Sequence, residues 1–245
     1  MKETINTTKK LIKIRFDELI VSFVVPIIVF IIGHTILRFV LEFDNSDDLT
    51  SFELGTVLSS FISLLIILLI GTMNFRTNMA YAVSMSNCRK NVITAHIAHA
   101  FIKGFILTTL MYIFHTFEGY VCRNTYKHIP MEFDFDKIFK PEIFPVFILF
   151  IAAIEIFIGS LLTRFGQKIY WIIYAVCIFC FSAFPSMITH TLEGNATGIS
   201  KTIGQFLIDI FNGMTINTLL VAICCICAII ITLPYVLLRK YRVAM

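Results

Sequence analysis

Six long apolar runs, separated by polar and charged residues, set the pattern of the whole chain. They cover approximately residues 19–41, 54–75, 92–117, 143–163, 169–187 and 215–238. An α-helix needs about 20 predominantly apolar residues to cross the hydrocarbon core of a bilayer, and each run has approximately that length. We therefore predict an all-α, polytopic membrane protein with six transmembrane helices in a single transmembrane domain, residues 1–245.

Two further segments are amphipathic but too short to cross a bilayer. The segment from Thr7 to Asp17 mixes apolar residues with Lys and Arg, the composition of an N-terminal interfacial helix in the headgroup layer. A positively charged flank of the first span is the alternative. Before the sixth run, apolar residues recur at helical spacing at Ile199, Ile203, Phe206 and Phe211. This spacing predicts a short outer-leaflet helix, and the alternative is an outer loop that folds on itself.

Composition supports the membrane assignment. The chain is 58% hydrophobic and 15% charged with a mean hydropathy of +0.85, whereas a soluble domain carries about 25% charged residues. A net charge of +4 is too small to indicate nucleic-acid binding. Five of the seven cysteines lie inside apolar runs, so we expect no disulfide framework.

The distribution of Lys and Arg predicts the orientation. The amino terminus, the loops at 76–91 and 164–168 and the carboxyl terminus together carry thirteen Lys and Arg against three acids. The opposite side carries six Lys and Arg against twelve acids. Because cytoplasmic loops are enriched in Lys and Arg, we expect both termini to lie in the cytoplasm of a multi-pass protein of the cell membrane.

The segments outside the runs are too short for a soluble catalytic domain, and no G-x-x-x-x-G-K-[ST] motif occurs. The sequence therefore predicts no ATP hydrolysis by this chain alone. We also expect no catalytic residue, no resident cofactor and no metal.

Residues 79–105 read MAYAVSMSNCRKNVITAHIAHAFIKGF. This stretch resembles the intracellular segment of ABC-2-type transporter permeases, in which a small-residue helix, often ending in Gly-x-[ST]-Arg-Lys, leads into the third span. The chain keeps Arg89 and Lys90 but has Ser86 or Asn87 where glycine is common and Cys88 where a hydroxyl residue is usual. The layout of the whole chain is also similar to that family.

The resemblance implies that segment 76–91 is a coupling segment that docks on a separate ABC ATPase subunit, which binds ATP and Mg²⁺. The residues that carry this expectation are Met79, Val83, Met85, Arg89 and Lys90. It also implies a second permease chain, either a copy or a related protein. In its small size the chain resembles bacterial permeases that export amphipathic peptides, bacteriocins or other apolar molecules. Membrane lipid is expected to surround the protein.

Lys103 and Glu155 are the charged residues deep inside the predicted spans, whereas Arg38 lies near the outer end of the first span. Small residues at Ala152 and Gly159 share a helix face with Glu155, so we expect this face to meet another helix rather than lipid. An ion pair between Lys103 and Glu155 is one alternative. In the other, Lys103 extends to the inner surface and Glu155 is protonated or bonds a neighbouring hydroxyl.

Two other functions compete with the permease. Lys103 and Glu155 could serve an ion pathway in a channel or secondary carrier without an ATPase. His96 and His99, three residues apart, raise the question of a haem or metal site in an intramembrane enzyme. The predicted topology puts His34, His115 and His190 at the opposite side of the membrane, so the histidines do not form one site.

Overall fold

The computed structural model describes residues 13, 15–43, 53–84, 89–126, 129, 135–137, 139–166, 168–173, 175 and 216–238. We number the α-helices α1 (Phe16–Phe43), α2 (Leu54–Ile66), α3 (Thr72–Ser84), α4 (Arg89–Thr125), α5 (Phe144–Phe165) and α6 (Ile216–Leu237). A π-helical stretch, Ile67–Gly71, joins α2 to α3, and 3₁₀ turns occupy Phe135–Lys137 and Pro141–Ile143. No strand occurs among the described residues.

Five stretches in the described part of the chain are long and apolar enough to cross a membrane. They are Phe16–Phe43, Leu54–Ala80, Lys90–Thr125, Pro141–Phe165 and Thr218–Leu237. The prediction of an all-α chain compatible with multiple membrane crossings is thereby confirmed. The fifth predicted run, 169–187, lies mostly outside the described residues, and the predicted outer-leaflet helix lies wholly outside them. Of the predicted interfacial helix, the structure describes only its last residues, of which Phe16 and Asp17 begin α1.

The helices extend beyond the predicted runs. The second run was predicted to end at residue 75, but the helical chain continues through α3 to Ser84. The described first part of segment 76–91, residues 76–84, therefore continues the second membrane helix. The third helix likewise begins at Arg89 and ends at Thr125 rather than spanning 92–117. A helix satisfies its own backbone hydrogen bonds, so it does not have to end where hydropathy falls.

Helix α4 lies in the middle of the bundle. Helix α1 packs against α2 and α4, while α5 packs against α3, α4 and α6. Glycines allow the closest approaches, because a Cβ added at Gly33 in α1 would lie 2.7 Å from the Cα of Gly55 in α2. A Cβ added at Gly159 in α5 would lie 2.7 Å from the Cβ of Phe75 in α3. These approaches bring polar groups on different helices within bonding distance.

We call the end of the bundle at which α1 and α4 begin the near end, and the opposite end the far end. At the near end, the Arg15 guanidinium donates hydrogen bonds of 2.7 and 3.2 Å to Asn78 Oδ1. Also in the near half of the bundle, an apolar cluster joins α3, α4 and α5 through Phe75, Met79, Val92, Ile93, Ala152 and Ile156. The near end is therefore tied together by a polar contact and a buried apolar layer.

Candidate functional site

A buried lysine joins three helices in the near half of the bundle. Lys103 in α4 has no exposed surface, and its Nζ lies 2.5 Å from Glu18 Oε1 in α1 and 2.8 Å from Glu155 Oε2 in α5. Both carboxylate side chains are only 4% exposed. We call Glu18, Lys103 and Glu155 the ionic cluster. Taking ionisable groups out of water is costly unless they are paired, and here one ammonium lies against two carboxyl groups.

The π-helical stretch between α2 and α3 is the fourth element that contacts the ionic cluster, after α1, α4 and α5. A Cβ added at Gly71 would lie 2.6 Å from Lys103 Nζ and 2.7 Å from Glu155 Cδ. One turn further along α3, Asn74 Nδ2 donates a 2.8 Å hydrogen bond to Glu18 Oε2. Single π-helical turns occur preferentially at functional sites. Here the π-helical stretch ends at Gly71, which has no side chain to collide with the Lys103 ammonium.

The cluster decides between the alternatives for Lys103 and Glu155. Glu155 is 3% exposed and faces the bundle interior, as predicted. Of the two alternatives, the structure contains the direct contact between Lys103 and Glu155 and not the lysine extended to the surface. Sequence reasoning missed Glu18, because it precedes the first apolar run and has the appearance of a charged flank. The helical register beginning at Phe16 turns Glu18 inward, and the apolar pattern gave no signal of that.

His96 and His99 precede Lys103 along α4. Both are buried, and the Nε2 atoms have no hydrogen-bond partner among the residues that the structure describes. His96 instead packs on the Phe75 ring at a centroid distance of 4.9 Å. Glu18, His99 and Glu155 offer three potential ligand atoms within 4.8 Å of one another. Because the Lys103 ammonium already lies against both carboxylates, we assign no metal to this set.

A cavity connects the ionic cluster to the near end. Its volume is about 220 Å³, and its lining residues are Arg15, Asp17, Glu18, Val21, Ile70 and Asn74. Glu18 is thus the member of the cluster that reaches the cavity, whereas Lys103 and Glu155 lie behind it. Water or small ions entering from the near end would meet Glu18 first.

A second polar network stabilises the far end. Glu118 in α4 accepts hydrogen bonds from the backbone N–H groups of Gly55 (2.9 Å) and Thr56 (2.8 Å) and from the Thr56 hydroxyl (2.8 Å). The first N–H groups of a helix have no partner within it. The Glu118 carboxylate therefore caps α2 across the bundle, and His34 Nδ1 lies 3.5 Å from the same carboxylate.

Beside that cap, His115 lies between two carboxylates. Its Nδ1 is 2.6 Å from Glu53 Oε2 and its Nε2 is 3.1 Å from Asp136 Oδ1. Burial raises the pKa of Glu53 above its usual value, against the opposing effect of the His115 hydrogen bond. A hydrogen bond from Arg123 lowers the pKa of Asp136. We interpret this network as a structural contact that joins α2, α4 and the 3₁₀ turn.

The predicted coupling residues have different environments. Met79 was expected on the surface, but it has no exposed area and packs in the apolar cluster with Phe75 and Val92. This expectation is corrected: α3 continues inward far enough to bury Met79. Lys90 is exposed at the start of α4.

The other predicted residues are described in part or not at all. Val83 and Arg89 lie in helical backbone whose side chains are not described. Met85 lies outside the described residues, as do Ile199, Ile203, Phe206 and Phe211. Comparisons of the chain with protein-family models, with curated proteins and with solved structures found no match.

Proposed function

We propose that this chain is the membrane-spanning permease subunit of an ATP-binding cassette exporter. The observation that carries the proposal is that both ends of segment 76–91 belong to packed helices of the bundle. Residues 76–84 lie in α3 and residues 89–91 lie in α4, so only residues 85–88 separate the two helices. Phe75, Met79 and Val92 pack together just inside the segment. A push on the segment by a partner would therefore move both helices.

The energy source must come from outside the chain, since the sequence holds no phosphate-binding loop. We assign ATP and Mg²⁺ to a separate ABC ATPase that docks on segment 76–91. In this arrangement the near end is cytoplasmic, which the excess of Lys and Arg on that side supports. Both termini then lie in the cytoplasm, and the protein belongs to the cell membrane.

The outer faces of the bundle support an assembly with lipid and a second permease chain. Helix α6 exposes Val221, Ile226, Ile229 and Val236, each more than half exposed. Helix α1 exposes a comparable row that includes Phe39, 63% exposed. Large exposed apolar surfaces mark membrane or protein contacts. We propose that the substrate, an amphipathic peptide, a bacteriocin or a similar apolar molecule, crosses between the two permease chains by alternating access.

Purification from native membranes tests the proposal. The tagged chain should retain a protein with a Walker A motif, and the reconstituted complex should accumulate an amphipathic peptide in vesicles only when ATP is supplied. A complex whose ATPase carries a substituted Walker lysine is the control and should not transport. Movement of ions or peptide by the chain alone, without any ATPase, would instead establish the channel or secondary carrier.

A further inference from the structure

We propose that the ionic cluster is a proton-binding site, which holds one proton on Glu155 at neutral pH while Glu18 is ionised and Lys103 is an ammonium. The ligand is the proton itself, exchanged with the near end. The inference requires only the geometry of the bundle, so it holds with or without an ATPase partner.

The charge count carries the first step. Two carboxyl groups face one ammonium, which would leave one surplus negative charge on buried side chains if both were ionised. An unpaired buried charge is normally neutralised by protonation, because its desolvation is so costly. Neutrality therefore requires one more positive charge, and a single proton supplies it.

None of the other described groups around the cluster supplies that charge. Helix α3 contributes Asn74, which is uncharged, and α5 contributes Glu155 alone. Helix α1 adds Arg15 and Asp17 at the cavity, whose charges offset each other. Helix α4 adds His96 and His99, which are buried and have no hydrogen-bond partner at Nε2 among the described residues. No described acid faces His96 Nε2 or His99 Nε2 within hydrogen-bond distance, as a charged imidazole would need.

The two carboxyl groups differ in how well they are stabilised as anions. Glu18 accepts hydrogen bonds from Lys103 Nζ and from Asn74 Nδ2, and it lies in the first turn of α1 beside the cavity. The amino end of a helix favours a negative charge. Glu155 lies mid-helix in α5, and Lys103 is its only charged partner among the described residues. The proton therefore belongs on Glu155.

Space excludes a larger cation. Lys103 Nζ lies 2.5 and 2.8 Å from the two carboxylates, at the position that a metal or sodium ion would need. A methyl group added at Gly71 would lie 2.6 Å from Lys103 Nζ and 2.7 Å from Glu155 Cδ, so there is no free space on this side of the cluster. A proton needs no volume of its own. The cavity that ends at Glu18 gives it a route from the near end, with His99 within 4.8 Å of both carboxyl groups.

Infrared difference spectroscopy of the purified protein in lipid nanodiscs tests the site. At neutral pH the wild type should show a protonated-carboxyl C=O band, sensitive to deuterium exchange, that Glu155→Gln lacks. Lys103→Met should add a second such band, because both carboxyl groups then have to be neutral. Glu142→Gln is the control, since Glu142 is exposed outside the cluster, and it should leave the band unchanged.

Shortened side chains test the assignment to Glu155. The band should shift in Glu155→Asp and keep its position in Glu18→Asp, and the reverse result would overturn the assignment. Identical bands in folded wild type and Glu155→Gln would overturn the proton site. A wild-type band that disappears on adding sodium, but not potassium, would show a sodium site instead. If Glu155→Gln does not fold, the spectrum of Lys103→Met decides. A Lys103→Met spectrum without an additional protonated-carboxyl band would then overturn the proton site.

Discussion

At the scale of single residues, Lys103 is the contact on which the near half of the bundle depends. It is a completely buried lysine with carboxylates from two other helices in direct contact. A buried ion pair adds little over a well-packed apolar pair, but removal of one partner leaves an uncompensated charge and costs about 3–5 kcal/mol. The buried Lys103 ammonium is therefore stable in the bundle only together with its acidic partner.

Substitutions in the cluster should reveal that requirement. Lys103→Met should lower the free energy of unfolding by about 3 kcal/mol, because it leaves two acids without a cation. Adding Glu18→Gln should recover about 1–3 kcal/mol of that loss, a coupling typical of groups in one network. Glu155→Gln alone should change little, because glutamine has the shape of the neutral acid. Denaturant unfolding of the detergent-solubilised protein measures all three, and strictly additive effects would contradict the pairing.

Sequence reasoning predicted part of this site. Glu155 was recognised by its small neighbours, Ala152 and Gly159, which favour a close helix approach. Glu18 was not, because charge next to an apolar run normally marks a solvated flank. Its burial depends on the tertiary position of Lys103, 85 residues away, and no local pattern encodes that distance.

At the scale of elements, α3 continues α2 through the π-helical stretch and packs against α5. Hydropathy predicted the existence of α1, α2, α4, α5 and α6 because each carries a membrane-length apolar run. It did not predict α3, whose composition is polar on average. Helix α3 forms because it continues α2 and buries Phe75 and Met79 against α4 and α5.

The close approach of α3 and α5 should be sensitive to one methyl group. Gly159→Ala places a Cβ 2.7 Å from the Cβ of Phe75, so the two helices must separate. Overpacking of this kind costs about 1–3 kcal/mol. Gly104→Ala in α4 is the matched comparison, since its nearest neighbour, the Ile148 carbonyl oxygen, would lie 3.1 Å away.

Thermal unfolding in detergent should rank wild type above Gly104→Ala and Gly104→Ala above Gly159→Ala. An equal Tm for wild type and Gly159→Ala would mean that α3 and α5 do not approach as described.

At the scale of the whole molecule, the bundle has two different ends and an apolar exterior. The far end is fastened by the Glu118 cap on α2 and by the contacts of His115. The near end has the cavity, the ionic cluster and the connection from α3 to α4. A bundle with one fastened end and one polar, coupled end suits a permease driven from the near side. That division adds to the support that the packing of segment 76–91 gives to the proposed function.

The central claim is that an ATPase subunit binds at segment 76–91, and a photo-activated cross-link tests it most directly. A photo-reactive amino acid is placed at Lys90, exposed at the near end, and in a control at Lys140, exposed at the far end. In native membranes the Lys90 variant should cross-link to a protein that carries a Walker A motif, and the Lys140 variant should not. Absence of that adduct from Lys90, with the variant inserted and folded, would contradict the account.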